Sequence, residues 1–424
     1  MDTALVRDYI ASYLKKNPPE MIKRDLSVSQ VRGKATVIIG PRRAGKTYFL
    51  WQEILKYDRS ETLYLDFEDI ALMDLKPSEI LLLIKDIFTE ISSKSVKVLF
   101  LDEIQNVVGW ESLVRSLLDR GYILFITGSS SKLLSKEIAT QLRGRSLSYL
   151  LLPFSFKEFL TAEGVHSIDK NSLESVGKIK GFLDKYLRFG GYPEVVLNPE
   201  NRDKILVDYK DLIFLKDFVE REKIKSMDVG RFIFSFITQA FSSEISYMSV
   251  LRSLKAAGIR FGKNTVYDYI GKLQDTMVFF FLDKYSTKVR QRSGWPKKVY
   301  LADAGLAWRL PYDEGRLIEN VVFLELKRRG VQSPDSEIYY YRDEKGHEVD
   351  FMIKGSSKIL ELIQVTFGSS RHDIRNTEIS NLITASKSLK CENLTVVTWD
   401  YKAEEEVDGK KIKFVPLWRW LLNL

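Results

Sequence analysis

The sequence contains few of the residues that build disulfides, metal clusters or membrane spans. A single cysteine, Cys391, stands among 424 residues, which excludes an intramolecular disulfide and a cysteine-rich metal cluster. The three histidines are scattered without metal-ligand spacing, which argues against a zinc site. The most apolar run, Met277 to Leu282, is far shorter than the ~20 residues that cross a bilayer, and no apolar h-region opens the chain. We therefore expect a soluble cytoplasmic protein without a membrane partner.

Charge and hydrophobic residues are abundant by contrast. Hydrophobic residues make up 45% of the chain, enough for globular cores, and the length predicts two to four domains. Lysine and arginine number 65 against 57 acidic residues, and the resulting net charge of +8 favours an anionic partner such as nucleic acid.

The chain is organised around a strand, a loop bracketed by Gly40 and Gly45, and a following helix. The spacing matches Gly-x-x-x-x-Gly-Lys-Ser/Thr, in which backbone N–H groups wrap phosphates, Lys46 pairs with the β- and γ-phosphates and the Thr47 hydroxyl holds Mg²⁺. We expect ATP and Mg²⁺ as cofactors. The predicted nucleotide-binding residues are Gly40, Pro41, Arg42, Arg43, Ala44, Gly45, Lys46, Thr47 and Tyr48.

Short apolar runs alternate with helical patterns over the first 160 residues. This alternation predicts an α/β fold with a parallel sheet that is covered by helices on both faces. The predicted strands are Thr36–Ile39, Thr62–Phe67, Val96–Leu101, Tyr122–Thr127 and Leu147–Leu152.

Two acids follow the third of these strands, at the edge where ligands of open parallel sheets bind. Asp102 is predicted to hold Mg²⁺ together with Thr47, and Glu103 to polarise the attacking water. The alternative is a pair of solvated acids at a strand end. Their combination with the upstream loop favours catalysis of ATP hydrolysis.

Hydroxyl and arginine side chains complete the predicted site. Ser129 or a neighbouring residue, after the fourth strand, is predicted to orient the water or to touch the γ-phosphate; the alternative is a serine-rich turn that caps a helix. Arg143 and Arg145 precede the fifth strand, and one of them is predicted to reach the γ-phosphate of a neighbouring subunit. Arg145 is the preferred candidate and Arg143 the second. The alternative is that both arginines are ordinary surface charges. If one of these arginines is catalytic, the protein is expected to form a homo-oligomer.

The motifs together resemble the prokaryotic AAA+-type P-loop ATPases common in archaea. The resemblance is carried by Gly40–Thr47, Leu101–Gln105, Thr127–Ser130 and Leu152–Phe159, and by Gly190-Gly191-Tyr192-Pro193. It implies a helical lid, a winged-helix region and a C-terminal restriction-endonuclease-like α/β domain after the ATPase core. The predicted domains are residues 1–160 (P-loop ATPase), 161–225 (helical lid or linker), 226–310 (winged helix) and 311–424 (restriction-endonuclease-like).

The predicted winged helix carries a basic stretch between two strands. A flexible cationic hairpin of this kind would follow a phosphate backbone. The alternative is a winged helix that contacts protein or serves as a lid. The candidate DNA contacts are Thr265, Lys272, Lys288, Arg290, Arg292, Lys297 and Lys298.

The C-terminal domain resembles a nuclease with a damaged site. By that resemblance Glu319 and Asp350 occupy two of the three acidic positions of the site. At the third position, one alignment places Gln364 where the acid would be, and the other places Glu361 as the acid. In both alignments the strand lacks the lysine that would steady a nucleophile beside the metal. We therefore expect an inactive nuclease remnant, and a closing helix over Phe414–Leu422.

The sequence thus predicts a protein that hydrolyses ATP and acts on or with DNA, moving a winged helix and a nuclease-like domain. Two alternatives remain open at this point. One is an ATP-dependent regulatory or defence switch that binds a protein partner, and the other is an ATP-gated, metal-dependent nuclease.

Overall fold

The structure, a computed structural model, describes residues 2–128, 142–286, 296–332 and 335–424. It divides into two compact units, Met1–Leu151 and Leu152–Leu424. The four-domain partition expected from the sequence is finer than this division and stays a prediction.

The first unit contains a five-stranded sheet of order β2-β3-β4-β1-β5, and all four pairs of neighbouring strands are parallel. All five residues of β1 and of β3 are buried, as expected for strands covered on both faces. The predicted parallel α/β core is confirmed. The strands are β1 (Ala35–Ile39), β2 (Thr62–Asp66), β3 (Val98–Asp102), β4 (Ile123–Gly128) and β5 (Ser146–Leu150).

The clearest amphipathic helix of this unit is α5. In α5 the residues Trp110, Leu113, Val114, Leu117 and Leu118 are buried, which is the spacing of one helix face. A π-helical turn, Leu83–Ile87, joins α3 to α4. The helices are α1 (Thr3–Lys15), α2 (Lys46–Ile54), α3 (Pro77–Leu82), α4 (Phe88–Ser92) and α5 (Trp110–Asp119).

The second unit begins with helices. The first of them, α6, starts in a capping box, because Ser155 accepts the Glu158 N–H while the Glu158 carboxylate accepts the Ser155 N–H. A π-helical stretch, Ile213–Glu220, extends α9. The helices are α6 (Phe156–Ala162), α7 (Leu173–Phe189), α8 (Pro193–Leu197) and α9 (Arg202–Leu212).

Three helices and a small antiparallel sheet of order β6-β8-β7 follow. The elements are α10 (Met227–Gln239), β6 (Ser243–Ile245), α11 (Tyr247–Ala256), α12 (Lys263–Asp275), β7 (Phe279–Asp283) and β8 (Lys297–Leu301). The sequence predicted two helices and then two strands for this region, and α11, α12, β7 and β8 correspond to them; α10 and β6 were not predicted, and the winged helix stays a prediction.

A six-stranded mixed sheet of order β13-β14-β12-β11-β10-β9 fills the C-terminal region. The chain ends differently from the prediction, because residues up to Pro416 form a strand and the closing helix is only five residues long. The elements are α13 (Glu314–Gln332), β9 (Glu337–Arg342), β10 (Glu348–Lys354), β11 (Ile359–Val365), α14 (Asn376–Leu389), β12 (Leu394–Thr398), β13 (Ala403–Val407), β14 (Lys410–Pro416) and α15 (Leu417–Leu421).

None of the helices in the described ranges combines the length and apolarity that a membrane crossing requires.

Candidate functional site

The phosphate-binding loop is fixed by close backbone packing. Gly40 follows β1, and a Cβ atom on it would lie 2.0 Å from the Leu151 carbonyl oxygen, so no side chain fits there. Gly45 has φ of +94°, a left-handed conformation that favours glycine, and it is the N-cap of α2. The loop therefore delivers the N-terminus of a nine-residue helix, with its free N–H groups, to the carboxyl edge of the sheet.

Lys46 lies folded over this loop. Its ammonium donates to the carbonyl oxygens of Gly40, at 3.3 Å, and Pro41, at 3.2 Å, and lies 3.7 Å from the Glu103 carboxylate. The residue is only 5% exposed. Lys46 thus places a buried positive charge between the loop and the acid predicted to act on water.

Asp102 is the centre of a hydroxyl cluster at the end of β3. Thr47 donates to Asp102 Oδ2 at 2.7 Å and Tyr64 donates to the same oxygen at 2.8 Å, while Thr127 donates to Oδ1. Asp102 is 1% exposed, and burial raises its pKa above the ordinary value against the opposing effect of these hydrogen bonds. The carboxylate is held in one orientation beside Thr47.

Glu103 is held through its backbone. Its N–H donates to Thr127 Oγ1 at 3.0 Å, and its φ of +49° turns the chain sharply after β3. Asp66 ends the neighbouring strand, and burial together with the charge of Asp102 raises its pKa to about 6. Thr127 therefore links Asp102 and Glu103, because its hydroxyl binds the Asp102 carboxylate and the Glu103 backbone N–H.

The residues present fit ATP and Mg²⁺. Hydroxyl and carboxylate oxygens are the ligands that Mg²⁺ prefers, and Thr47 and Asp102 supply one of each within 2.7 Å of one another. The Gly40 position that excludes a Cβ, the buried Lys46 ammonium and the start of α2 form a cradle suited to phosphate oxygens.

The predicted arginines lie at the other end of the sheet. The Arg145 carbonyl accepts the N–H of Ala35, the first residue of β1, whereas the loop follows the last. Five residues of strand separate the two ends, about 15 Å. Arg143 and Arg145 are exposed, and Arg145 forms an ion pair with Asp119. Neither arginine can contact the loop of its own chain.

Ser129 lies outside the described residues, so its predicted role stays a prediction. Three other side chains of the site were not singled out from the sequence. Tyr64 and Thr127 bind Asp102, and the Arg24 guanidinium donates to the carbonyl of Ala44 in the loop at 2.7 Å. Tyr64 and Thr127 lie on strands that flank β3, so polar residues at buried strand positions were the available signal.

The structure describes four of the seven candidate DNA contacts. Lys288, Arg290 and Arg292 fall outside the described ranges. Thr265 is half-buried at the start of α12. Lys272 pairs with Asp268 and Lys297 with Asp283, each at 2.7 Å.

Lys298 is not on that surface. It is 4% exposed, and its ammonium lies within 3.1 Å of three carboxylates. A side chain enclosed in this way cannot follow a phosphate backbone, so we remove Lys298 from the candidate DNA contacts.

The structure brings together three of the four residues of the predicted nuclease remnant. Glu319 and Asp350 both contact Lys298, and Gln364 donates to Asp350 Oδ2 at 2.6 Å. Glu361 instead accepts a hydrogen bond from Thr395 at 2.6 Å. Side chains alternate along a strand, so Glu361 and Gln364 point to opposite faces of β11. The acidic cluster therefore includes Gln364 and leaves Glu361 out.

Three family models match the chain in succession. Residues 32–160 match an AAA domain, residues 181–314 a domain of unknown function (DUF8612) and residues 314–420 another domain of unknown function (DUF4143). The AAA match contains every residue of the nucleotide site described above except Arg24.

Relatives align over almost the whole chain. Uncharacterized protein MJ1544 of Methanocaldococcus jannaschii is 38% identical over 414 residues, 95% of this chain and 92% of that one. An uncharacterized protein of Haemophilus influenzae is 28% identical, over 90% and 93%. The solved structure of AMPPCP-bound DnaA from Aquifex aeolicus is similar at 16% identity and a TM-score of 0.23, covering 63% of this chain and 86% of that chain. The assignment rests on the sequence matches: the protein belongs to the AAA+-type P-loop ATPase family, and its first unit carries the phosphate-binding loop and the two acids on which the resemblance rests.

Proposed function

We propose that the protein binds ATP with Mg²⁺ and hydrolyses it to ADP and phosphate, and that it uses this cycle to act on or with DNA. The observation that carries the ATPase proposal is the contact of Thr47 with Asp102 at 2.7 Å, next to the Lys46 ammonium and Glu103. Phosphoryl transfer needs mainly positioning and charge stabilisation, and these residues supply both.

Each side chain has a distinct task in this proposal. Lys46 neutralises phosphate charge, and the N–H groups at the start of α2 bind phosphate oxygens. Thr47 and Asp102 would hold Mg²⁺, which screens the charge of the β- and γ-phosphates. Glu103 orients a water and accepts its proton, and Thr127 fixes the backbone from which Glu103 projects.

Nucleotide binding and turnover of three variants test the ATPase proposal. Lys46→Ala should abolish ATP binding, whereas Glu103→Gln should retain binding and lower turnover by about 10²- to 10⁴-fold, the usual contribution of a general base. Lys34→Ala removes the same charge from an exposed position before β1 and serves as the matched control. Full turnover by Glu103→Gln would contradict the role given to Glu103.

The DNA proposal has weaker support. The net charge of +8 favours an anionic partner. Lys272 and Lys297 are already paired with acids, however, so the proposal depends mainly on Lys288, Arg290 and Arg292. Because these ion pairs leave less free charge for DNA, a second candidate function is an ATP-dependent switch that binds a protein partner.

ATP turnover with and without duplex and branched DNA distinguishes the two functions. A protein that acts on DNA should be stimulated by it, and neutralising Lys288, Arg290 and Arg292 together should remove the stimulation. The matched control neutralises three exposed lysines of the C-terminal region, Lys345, Lys402 and Lys411. Turnover that is indifferent to every DNA would favour the protein-binding switch.

A further inference from the structure

Three carboxylates of the second unit surround a single ammonium group. The Nζ atom of Lys298 lies 2.8 Å from Glu348, 2.9 Å from Asp350 and 3.1 Å from Glu319. Lysine has three N–H donors, so each can serve one carboxylate. The four side chains come from separate parts of the fold, since Lys298 is on β8, Glu319 on α13, and Glu348 and Asp350 on β10.

Further donors bind two of the three carboxylates. Tyr300 donates to Glu319 Oε1 at 2.7 Å. On the far side of Asp350, Oδ2 accepts from the Gln364 amide at 2.6 Å and from the Val365 backbone N–H at 3.0 Å. Gln364 is neutral and donates here, so it offsets the charge of Asp350 instead of adding to the acidic set.

This arrangement is what proteins use to bind a hard divalent cation, with one difference. Carboxylate oxygens that converge on one point are typical ligands of Mg²⁺, Mn²⁺ and Ca²⁺, at about 2.0–2.6 Å. The oxygens here stand at ammonium distances, and the described residues include no group of three His, Cys, Asp or Glu side chains arranged to hold a metal ion. The point on which the oxygens converge is filled by the Lys298 nitrogen.

We propose that the Lys298 ammonium takes the place of a divalent cation in this cluster, so that the wild-type cluster is assembled without metal and becomes a divalent-cation site only when the ammonium is removed. This inference is independent of the ATPase and DNA proposals. Its failure would leave them unchanged.

The charge state of the cluster agrees with this geometry. Burial alone would lower the pKa of Lys298, but the charges of Asp350 and Glu319 outweigh burial and raise the pKa well above the ordinary value, so the amine stays protonated. A divalent cation would have to displace a fixed positive charge from among its own ligands, and the repulsion between two such charges at this range is large.

Titration of the full-length, nucleotide-free protein with Mn²⁺, followed by electron paramagnetic resonance of the free ion, tests the proposal. Wild type and Asp350→Asn should bind the same amount of Mn²⁺, because the wild-type cluster provides no site for it. Lys298→Ala should bind Mn²⁺ at least about a hundredfold more tightly than wild type, because the repelling charge is gone and three carboxylates remain. The matched control is Lys297→Ala, which removes the same charge from the adjacent position on β8 and should bring no gain.

Melting temperature provides a second readout. In EDTA, Lys298→Ala should melt below wild type because three carboxylates lose their counter-charge, and Mn²⁺ should restore part of the loss in this variant only. Lys298→Met, which keeps the length of the side chain, replaces Lys298→Ala if that variant does not fold.

Two results would overturn the proposal. One is wild-type binding of Mn²⁺ that disappears in Asp350→Asn, which would make Lys298 a neighbour of a metal and not its substitute. The other is a folded Lys298→Ala or Lys298→Met that gains no affinity for Mn²⁺. The comparison of wild type with Asp350→Asn decides the first point even if neither Lys298 variant folds.

Discussion

The Asp102 carboxylate accepts three hydroxyl groups, from Thr47, Tyr64 and Thr127. A buried carboxylate left short of donors is costly, so the hydroxyls stabilise the charged form in the place where Mg²⁺ would need it. Thr127 also accepts the Glu103 N–H. A single threonine therefore fixes the metal ligand and the candidate base relative to each other.

A second buried carboxylate, Asp303, gives a pH prediction for the second unit. It accepts the N–H groups of Gly191, at 2.7 Å, and Gly305, at 2.8 Å, and burial raises its pKa from 3.8 to about 7. Between these values the folded protein binds more protons than the unfolded chain. The contribution of Asp303 to stability is therefore full below about pH 4 and is lost as pH rises through 7, by up to about 4 kcal/mol.

Melting temperatures of wild type and Asp303→Asn at pH 5, 6, 7 and 8 check this prediction. The variant lacks the titration and loses one of the two hydrogen bonds at every pH. The advantage of wild type over the variant should thus shrink steadily from pH 5 to pH 8. A constant difference would show that the Asp303 pKa is not raised.

Lys298 illustrates what local sequence cannot reveal about single residues. It follows Lys297 after a basic stretch, and such a pattern is typical of a solvated surface. Its partners Glu319 and Asp350 are 21 and 52 residues away, and only the fold brings them together. The phosphate-binding loop was predictable from the sequence because its glycines, lysine and threonine act at fixed short spacings.

At the scale of elements, the contact between Gly40 and the end of β5 determines the shape of the loop. The Leu151 N–H donates to the Ile39 carbonyl at 2.7 Å, which brings the Leu151 carbonyl against Gly40. A methyl group there would have to push backbone apart. We expect Gly40→Ala to weaken ATP binding by at least about tenfold, since rearranging packed backbone costs about 1–3 kcal/mol.

Nucleotide titration of Gly40→Ala measures this effect. Gly177→Ala is the control for the substitution itself, because no atom lies within 4 Å of a Cβ added to Gly177. Equal ATP affinity of Gly40→Ala and wild type would mean that the loop can shift away from Leu151 without cost.

The five strands of the first unit were predicted with errors of at most two residues at their ends, whereas the final hairpin was missed. β13 and β14 pair with Val407 opposite Lys410, so Asp408 and Gly409 form a two-residue turn. Both turn residues have positive φ, at 51° and 71°. Asp-Gly is a typical signal for such a hairpin. The apolar residues near the C-terminus instead suggested one long helix, whose first three residues belong to β14.

At the scale of the whole molecule, the positions of the loop and of Arg145 at opposite ends of the sheet require two chains for a complete site, if Arg145 is catalytic. Lys46→Ala and Arg145→Ala should each be inactive alone. A mixture should recover activity, because the first chain supplies Arg145 to the intact loop of the second. ATP turnover of the mixture, against each variant alone, measures this recovery.

Mixing Lys46→Ala with Glu103→Gln is the control for this complementation. Both changes damage the loop-side half of the site, so no mixed pair contains an intact one and turnover should stay low. If differently tagged Lys46→Ala and Arg145→Ala chains copurify but do not recover turnover, Arg145 does not act on a neighbouring chain.

The enclosure of Lys298 also bears on where this protein can be divided. The two C-terminal family matches meet at residue 314, between the lysine and all three of its acids. A fragment that begins there carries Glu319, Glu348 and Asp350 without their counter-charge. An exchange of C-terminal regions between relatives at the same point would preserve the cluster only if the parent of the N-terminal part carries a cation on β8 and the parent of the C-terminal part carries the acids. Truncation and recombination should therefore be tolerated better upstream of β8 than at the boundary that the sequence matches suggest.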